Sequence, residues 1–458
     1  MNTHNLPQEE ESLASTLESF LQEMMDLVSQ ETAEKEPSTK AGRKPILPSI
    51  MLWSAVLVGL LRGYSSQAAI WRLISWKGFW KYPEVKVSDQ AVYDRLAAKG
   101  DDTLQRVFVA IRDGLKSRLE PMKQRTIAPF ASEVYAIDGS TLDKMMRHLP
   151  KLWDVPNGDR RLLPGKMVGL FDIRRQIWQE MIHLPNPDQN DKAVAYELVK
   201  GLPQNSLILA DMGFFGFKWF DQLTEAKIWW ISRFRHKTTF EVIHTFYQDG
   251  DLFDGIIWLG RYRADKAAHA VRLVTFTVGQ THHRYLTNVL DPKQLSLHDI
   301  AVLYARRWDI ELAFKLVKQH LKLHLIWSGH PQVVLQQLWG TLIISQILQA
   351  SRLEIAFHSQ VDPFDVSIDL LAQYLPSLAY EGKDPFQMII DDGRRVGFIR
   401  PSRRIRPKTP PIDHLSFEPL PDHIVLQRKP RYAQRRCQTS DFDKLGATKA
   451  SDTKPLLC

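Results

Sequence analysis

Four side chains able to handle a phosphate and a metal ion recur at set intervals in the run from Tyr304 to Lys318: Tyr304, Arg307, Glu311 and Lys318. On a helix that advances roughly 100° per residue, with Tyr304 at zero, Arg307 falls near about −60°, Glu311 near about −20° and Lys318 near about −40°. All four therefore leave the helix inside a wedge of about 60°. A carboxylate on such a stripe suits a hard divalent cation, while a guanidinium, an ammonium and a phenol suit a polyanionic backbone. The same spacings also arise on ordinary solvated helix faces as charge pairs. Here Leu303, Trp308, Ile310, Leu312, Phe314, Leu316 and Val317 cover much of the remaining circumference. A helix that is apolar around most of its girth packs inside a domain, which favours a functional reading of its charged stripe.

One carboxylate rarely holds a catalytic divalent ion, so partners are sought at the ends of apolar strands, where a sheet delivers them to a common edge. Asp138 ends TyrAlaIleAspGlySerThrLeu, and Asp211 ends LeuIleLeuAlaAspMetGlyPhePheGly. Each taken alone is equally a turn former, since Asp-Gly and Asp-x-Gly are common in turns. Two instances followed by Glu311 strengthen the metal reading. Asp143, Asp172 and Glu180 are weaker rivals; Asp172 runs into two arginines and is expected to pair with Arg174 or Arg175. Three such carboxylates could hold two Mg²⁺ ions about 4 Å apart, one activating a water or a 3′-hydroxyl and the other stabilising the leaving oxygen. Arg307 and Lys318 would neutralise charge on the target phosphate, and Tyr304 would hydrogen-bond or pack beside it. No histidine site competes: His282 and His283 are adjacent on an expected strand and cannot face the same side, and the rest are scattered.

The elements that must carry these residues follow from pattern. Residues 1–40 are polar and rich in Glu and Gln, with one amphipathic helix near Ser12 to Ser29, and read as a mobile arm. Residues 41–130 are helical, with Ser-led segments at 65–74 and 88–97. Arg72 and Arg95, with Arg43 and Lys44 upstream, make this a candidate helix-turn-helix-like DNA-binding unit, although a plain helical domain fits the pattern as well. From 131 to 235 the texture is mixed α/β: strands at 134–137, 167–171 and 177–184, then a helix, a strand at 206–210, a helix and a strand at 228–232. Residues 236–283 return to strands and look like an insertion before the core resumes at 284–328. Helices are expected within 329–390. Residues 391–458 read as a flexible basic tail, with twelve Lys or Arg against three acids between Arg394 and Arg436.

Composition bounds the class without naming it. The 458 residues suffice for several compact units, and the 44% hydrophobic and 24% charged content is that of a globular protein. A formal charge of +8 is compatible with a polyanionic partner. With Cys437 and Cys458 as the only cysteines, a disulfide framework and a thiolate zinc site are excluded, and a reducing cytoplasm fits best. No signal peptide is legible, and the apolar run from Ile50 to Leu61 is too short to span a bilayer, so no membrane partner is expected.

These motifs together resemble those of the IS4-type DDE transposases, to which the Tn5 transposase is related. The signature Tyr-x2-Arg-x3-Glu-x6-Lys stands complete as Tyr304, Arg307, Glu311 and Lys318. Asp138 with Gly139, Ser140 and Thr141, and Asp211 with Gly213 and Phe214, match the two preceding blocks. The resemblance covers roughly residues 130–325. It implies an RNase H-like mixed sheet with flanking helices, interrupted by the β-rich insertion, with Asp138, Asp211 and Glu311 as catalytic metal ligands for Mg²⁺, for which Mn²⁺ would substitute. It implies cleavage of double-stranded DNA at the inverted repeats of a prokaryotic insertion sequence, strand transfer to target DNA, and a homodimer on DNA in the nucleoid. Relatives stack a flipped base on an insertion-domain tryptophan, which makes Trp258 the candidate here. Met212 departs from the Arg that many relatives carry. The alternatives are an inactive, transposase-derived DNA-binding regulator and another two-metal nuclease of the same fold.

Overall fold

The computed structural model describes residues 17–33, 46–98, 100–141, 165–186, 189–261, 265–321, 327–328, 330–380, 385–402, 407–412 and 416–432. Asp143 and Cys437 and Cys458 lie outside them. Helices α1 (Leu17–Ala33), α2 (Ser49–Leu61), α3 (Gln67–Arg72), α4 (Asp89–Ala98) and α5 (Asp102–Leu119) precede strands β1 (Val134–Thr141), β2 (Lys166–Asp172) and β3 (Ile177–Leu184). Then follow α6 (Lys192–Val199), β4 (Leu207–Ala210), α7 (Phe217–Glu225), β5 (Trp229–Arg233), β6 (Phe240–Asp249), β7 (Leu252–Leu259), β8 (Val271–Val278) and β9 (Thr281–Thr287). The chain closes with α8 (Leu297–Arg306), α9 (Trp308–Lys315), α10 (Pro331–His358), α11 (Ile368–Tyr380) and α12 (Pro385–Asp392).

Two compact units emerge. The first comprises residues 1–129, 133–188 and 305–406, and the second 130–132, 189–304 and 407–458. In the first, β1, β2 and β3 form the antiparallel meander read from the sequence, in the order β3-β2-β1. Strand β2 is buried along its whole length, as a central strand covered on both faces should be. Strand β1 is buried from Val134 to Ile137 and surfaces at Asp138, so its apolar half anchors the sheet and its polar half leaves the core. The architecture is therefore mixed α/β with flanking helices, as expected.

Around this meander the first unit is helical. Helix α10 is buried continuously from Val333 to Ala356 and is long and apolar enough, by length and composition, to cross a membrane; all of its apolar stretch is buried inside this unit. It opens on Pro331, where a missing N–H costs nothing. At Gly340 a Cβ would sit 2.5 Å from Leu60 Cδ1, so glycine lets α10 and α2 approach closely. Two of the polar residues on α10 tie it to neighbouring helices: Gln336 donates to the Leu96 carbonyl at 2.9 Å, and Glu354 accepts from Arg118 at 3.0 Å. Within the expected arm, α1 is not loose. Leu17, Leu21, Met25 and Val28 are buried, and Glu18 takes both ends of the Arg62 guanidinium at 2.8 Å.

In the second unit the order is β4-β5-β9-β8-β7-β6. Strands β4 and β5 are parallel, joined through α7, while β5-β9 and the pairs from β9 to β6 are antiparallel. The strand-rich stretch expected at 236–283 is thus a four-stranded run whose last strand, β9, extends to Thr287 and pairs with β5. Its core holds Phe246, Ile256, Trp258 and Ala270. The expectation of a flexible tail needs correction over residues 416–432. Phe417, Leu420 and Leu426 pack on that core, backbone bridges join Arg431 to Lys266 and Gln427 to His269, and the Tyr432 hydroxyl donates to Asp221 at 2.8 Å. Apolar side chains spaced among the basic ones bury enough surface to hold this strap.

Candidate active site

The local chemistry begins where β1 leaves the core. Asp138 turns one carboxylate oxygen back to its neighbour, Oδ1 accepting from the Gly139 N–H at 2.8 Å. Its other oxygen, Oδ2, accepts from Arg307 Nη1 at 3.3 Å, and Arg307 Nη2 donates to Glu311 Oε1 at 2.6 Å. One guanidinium therefore lies between two carboxylates that come from positions 173 residues apart, Asp138 and Glu311. The Arg307 side chain is 8% exposed, Asp138 18% and Glu311 32%, so the acids face solvent more than the base does. The Arg307 guanidinium also lies 5.2 Å from the centre of the Trp308 ring.

The helix that carries this stripe is held from below. Asp309, 1% exposed, accepts from Arg306 Nε at 2.8 Å and from Gln176 Nε2 at 2.9 Å, and Gln176 Oε1 accepts from Arg352 at 2.9 Å. Phe314 packs on Trp178 of β3, ring centres 4.8 Å apart. These contacts fix the rotation of α9 and so aim Glu311 towards Asp138. Neither Asp309 nor Gln176 was legible as a positioning residue. The only available signal was an acid one residue from the wheel's apolar side.

Lys318 meets the same strand further along. Its ammonium donates to Ser140 Oγ at 2.5 Å and to the Thr141 carbonyl at 3.1 Å. Lys318 lies in a π-helical turn, Leu316–His320, so the 3.6-residue period used to align it with Glu311 does not hold there. It still reaches β1. Ser140 and Thr141, the residues after the Asp-Gly pair, thereby acquire a role in anchoring that lysine.

Asp211, Trp258 and Tyr304 lie in the second unit. Asp211 follows the fully buried strand β4, and its Oδ1 accepts from the Gly213 N–H at 2.7 Å, opening a 3₁₀ turn over Met212–Phe214. A Cβ at Gly213 would come within 2.8 Å of that same oxygen, which explains the glycine in the Asp-x-Gly block. Tyr304 is 4% exposed, its ring 5.0 Å from Tyr285 with the Arg233 guanidinium 5.5 Å over it. Trp258 is 8% exposed inside the insertion core, with the Arg428 guanidinium 4.4 Å from its ring centre. That is a packed position with little ring face open to a stacking partner. Asp172, as expected, pairs with Arg175, at 2.7 Å.

A divalent cation is what two converging carboxylates suggest, and the donor set fits one: all oxygen, anionic, partly exposed and only half neutralised by a single guanidinium. Among the described residues no group of three or more His, Cys, Asp or Glu side chains converges as a complete metal site. The convergence that is present is the pair on Arg307.

Comparison with known proteins bears on this region. Residues 130–347 match the family described as the transposase DDE domain. A putative transposase of Sinorhizobium fredii is 24% identical over 255 residues, 50% of this chain and 69% of that protein. The Escherichia coli transposase InsG for insertion sequence element IS4 is 31% identical over 90 residues, 19% of this chain and 20% of that one. A putative transposase for the Synechocystis insertion sequence element IS4SA is 33% identical over 82 residues, 17% of this chain and 24% of that protein.

Proposed function

We propose that this chain is a DDE transposase of the IS4 type, which cleaves DNA at the ends of an insertion sequence and transfers those ends to a target, with Asp138, Asp211 and Glu311 as the ligands of a divalent cation, Mg²⁺ or Mn²⁺. The observation that carries the site assignment is the convergence of Asp138 and Glu311 on Arg307. When bound, the metal would supply Lewis-acid chemistry to the attacking and leaving oxygens of a phosphodiester. The protein's own residues do the rest. Arg307, lying between two acids that a cation would neutralise, is the group that turns to the substrate phosphate. Lys318 tethers the end of β1 through Ser140, holding Asp138 in place. Tyr304 packs the start of the helix against Tyr285.

The helical segment at 46–119, with Arg72 and Lys77 exposed, is the part proposed to hold the element's inverted repeats. Two ends must be joined, so a pair of protomers is expected on DNA.

The test is cleavage of a duplex carrying the element's own ends, with Mg²⁺ supplied. Asp138→Asn, Asp211→Asn and Glu311→Gln should each lose about a thousandfold or more in rate, at least the loss expected for deleting a charge-stabilising group, while binding of the same duplex persists. Retained cleavage in any one of them removes that residue from the site. Binding without cleavage in the parent chain would favour the regulator reading.

A further inference from the structure

Within the second unit, a cavity of 290 Å³ is lined by Phe215, Gly216, Phe217, Arg235, Lys237, Thr238, Thr239 and Asp265. It is built where two loops meet. Arg235 to Thr238 form a turn after β5, closed by the Thr238 N–H donating to the Arg235 carbonyl at 2.9 Å. Phe215 and Gly216 lead into α7, which no side chain caps. Behind them, the Lys192 ammonium donates to the Phe215 carbonyl, adding a third positive charge to that wall.

Three features of the lining point to an anion. Arg235 and Lys237 are both exposed, and neither forms an ion pair or a side-chain hydrogen bond among the described residues, whereas Arg175, Arg272 and Arg307 all hold acids. The Thr239 hydroxyl is buried and has no hydrogen-bond partner, which is costly unless a ligand supplies an acceptor. Gly216, in an extended conformation, leaves the mouth of α7 open to close approach. An acceptor-rich group that takes two cations and one hydroxyl at once is a phosphate.

We propose that this cavity binds one phosphodiester of a DNA strand, held by Arg235, Lys237 and the hydroxyls of Thr238 and Thr239. Nothing in the chemistry around Arg307 uses these residues. The inference rests on the reading of this chain as a protein that acts on DNA. Asp265 sets the polarity of the site: its carboxylate repels a phosphate that strays from the basic side.

The experiment is anisotropy of the full chain on a labelled duplex of arbitrary sequence, titrated across KCl concentration. A phosphate contact carries no sequence information, so any duplex serves. Neutralising both cations, Arg235→Gln with Lys237→Gln, should lower the slope of log affinity against log salt by about one, the value for a single phosphate, and weaken binding about tenfold near physiological salt. Lys200→Gln with Lys293→Gln removes the same charge elsewhere in the unit and should leave the slope as in the parent. Thr239→Val should weaken binding a few-fold, and Asp265→Asn should tighten it, by roughly two- to fivefold. The exchange Arg235→Lys with Lys237→Arg keeps both charges and should restore the slope, which separates lost charge from lost folding. A parental slope in the Gln double variant, or the same drop in the Lys200 and Lys293 control, overturns the proposal. A parent chain with no salt-dependent binding overturns the DNA reading itself.

Discussion

Arg175 and Arg307 each sit between carboxylates delivered by distant parts of the first unit, and their surroundings differ in one respect. Arg175 donates to Asp172 at 2.7 Å and to both oxygens of Glu133, at 2.9 and 3.2 Å, and also to Glu120. Asp172, wholly buried, spends its other oxygen on the backbone N–H groups of Arg174 and Arg175, both at 2.9 Å. Arg307 holds Asp138 and Glu311, and those acids are 18% and 32% exposed. Both are clusters of one arginine and several acids. In the first, Asp172 and Arg175 are fastened into the β2-β3 turn with Glu133, 16% exposed, closing over them; in the second, both acids stand at the edge of the fold, where water, a cation or a phosphate can compete for them. A charged cluster closed by backbone hydrogen bonds locks a turn, and one left open at its acids can exchange partners.

Removing the cation from the closed cluster should do the most damage. Arg175→Met leaves Asp172 buried beneath Glu133 with no guanidinium, and breaking a buried pair from one side costs about 3–5 kcal/mol. Burial already pushes the Asp172 carboxyl above the usual carboxylate range, against the pull of Arg175. Urea denaturation of the purified variant measures the loss. A change below about 1 kcal/mol would mean that the closed cluster is no more structural than the open one, and the contrast would collapse.

The same operation on the open cluster should separate stability from chemistry. Arg307→Gln should shift unfolding by less than about 1 kcal/mol, because its partners are partly solvated and two like charges remain at the edge rather than in the core. Cleavage of the element's ends should fall about 100- to 1000-fold, the range for losing one preorganised positive donor. Mn²⁺ titrated in the absence of DNA should bind this variant more tightly than the parent, since the guanidinium no longer competes for the two acids. Weaker Mn²⁺ binding, or destabilisation on the scale of Arg175→Met, would reassign Arg307 to structure.

The contrast also shows what a linear reading can reach. Arg307 and Glu311 are four residues apart, so their pairing follows from helical spacing alone. The approach of Asp138 does not, since it depends on Phe314 seating against Trp178 and on Asp309 being held by Gln176 and Arg306. Tyr304 aligned with the stripe on an unbroken wheel, but the helix is interrupted at Arg307 and its phenol packs on Tyr285. Asp172 was legible because the two arginines beside it announce its partner. The strap at 416–432 was misread because Arg and Pro dominate its composition, while the signal that mattered was Phe417, Leu420 and Leu426 spaced to reach one apolar core. Patterns within an element were readable; contacts between elements far apart in the chain were readable only where charge pointed to them.

The smallest effect concerns acid. Burial raises the Glu133 carboxyl, but hydrogen bonds from Arg175 and Lys123 pull harder and leave it below the ordinary carboxylate range. A depressed folded value means that the unfolded chain takes up protons first as pH falls. The stability Glu133 contributes is therefore fully present above the unfolded value, about 4.3, and drains away as pH drops towards the folded one. Glu133→Gln should be less stable than the parent by about 1 kcal/mol at pH 7, with the gap closing by about pH 3. Asp172, raised by burial and further by the neighbouring Glu133 charge, works in the opposite sense, so its relief in this variant offsets part of the gap at pH 7. Parallel acid limbs for parent and Glu133→Gln would show that the closed cluster is screened after all, and that exposure alone does not distinguish the two arginines.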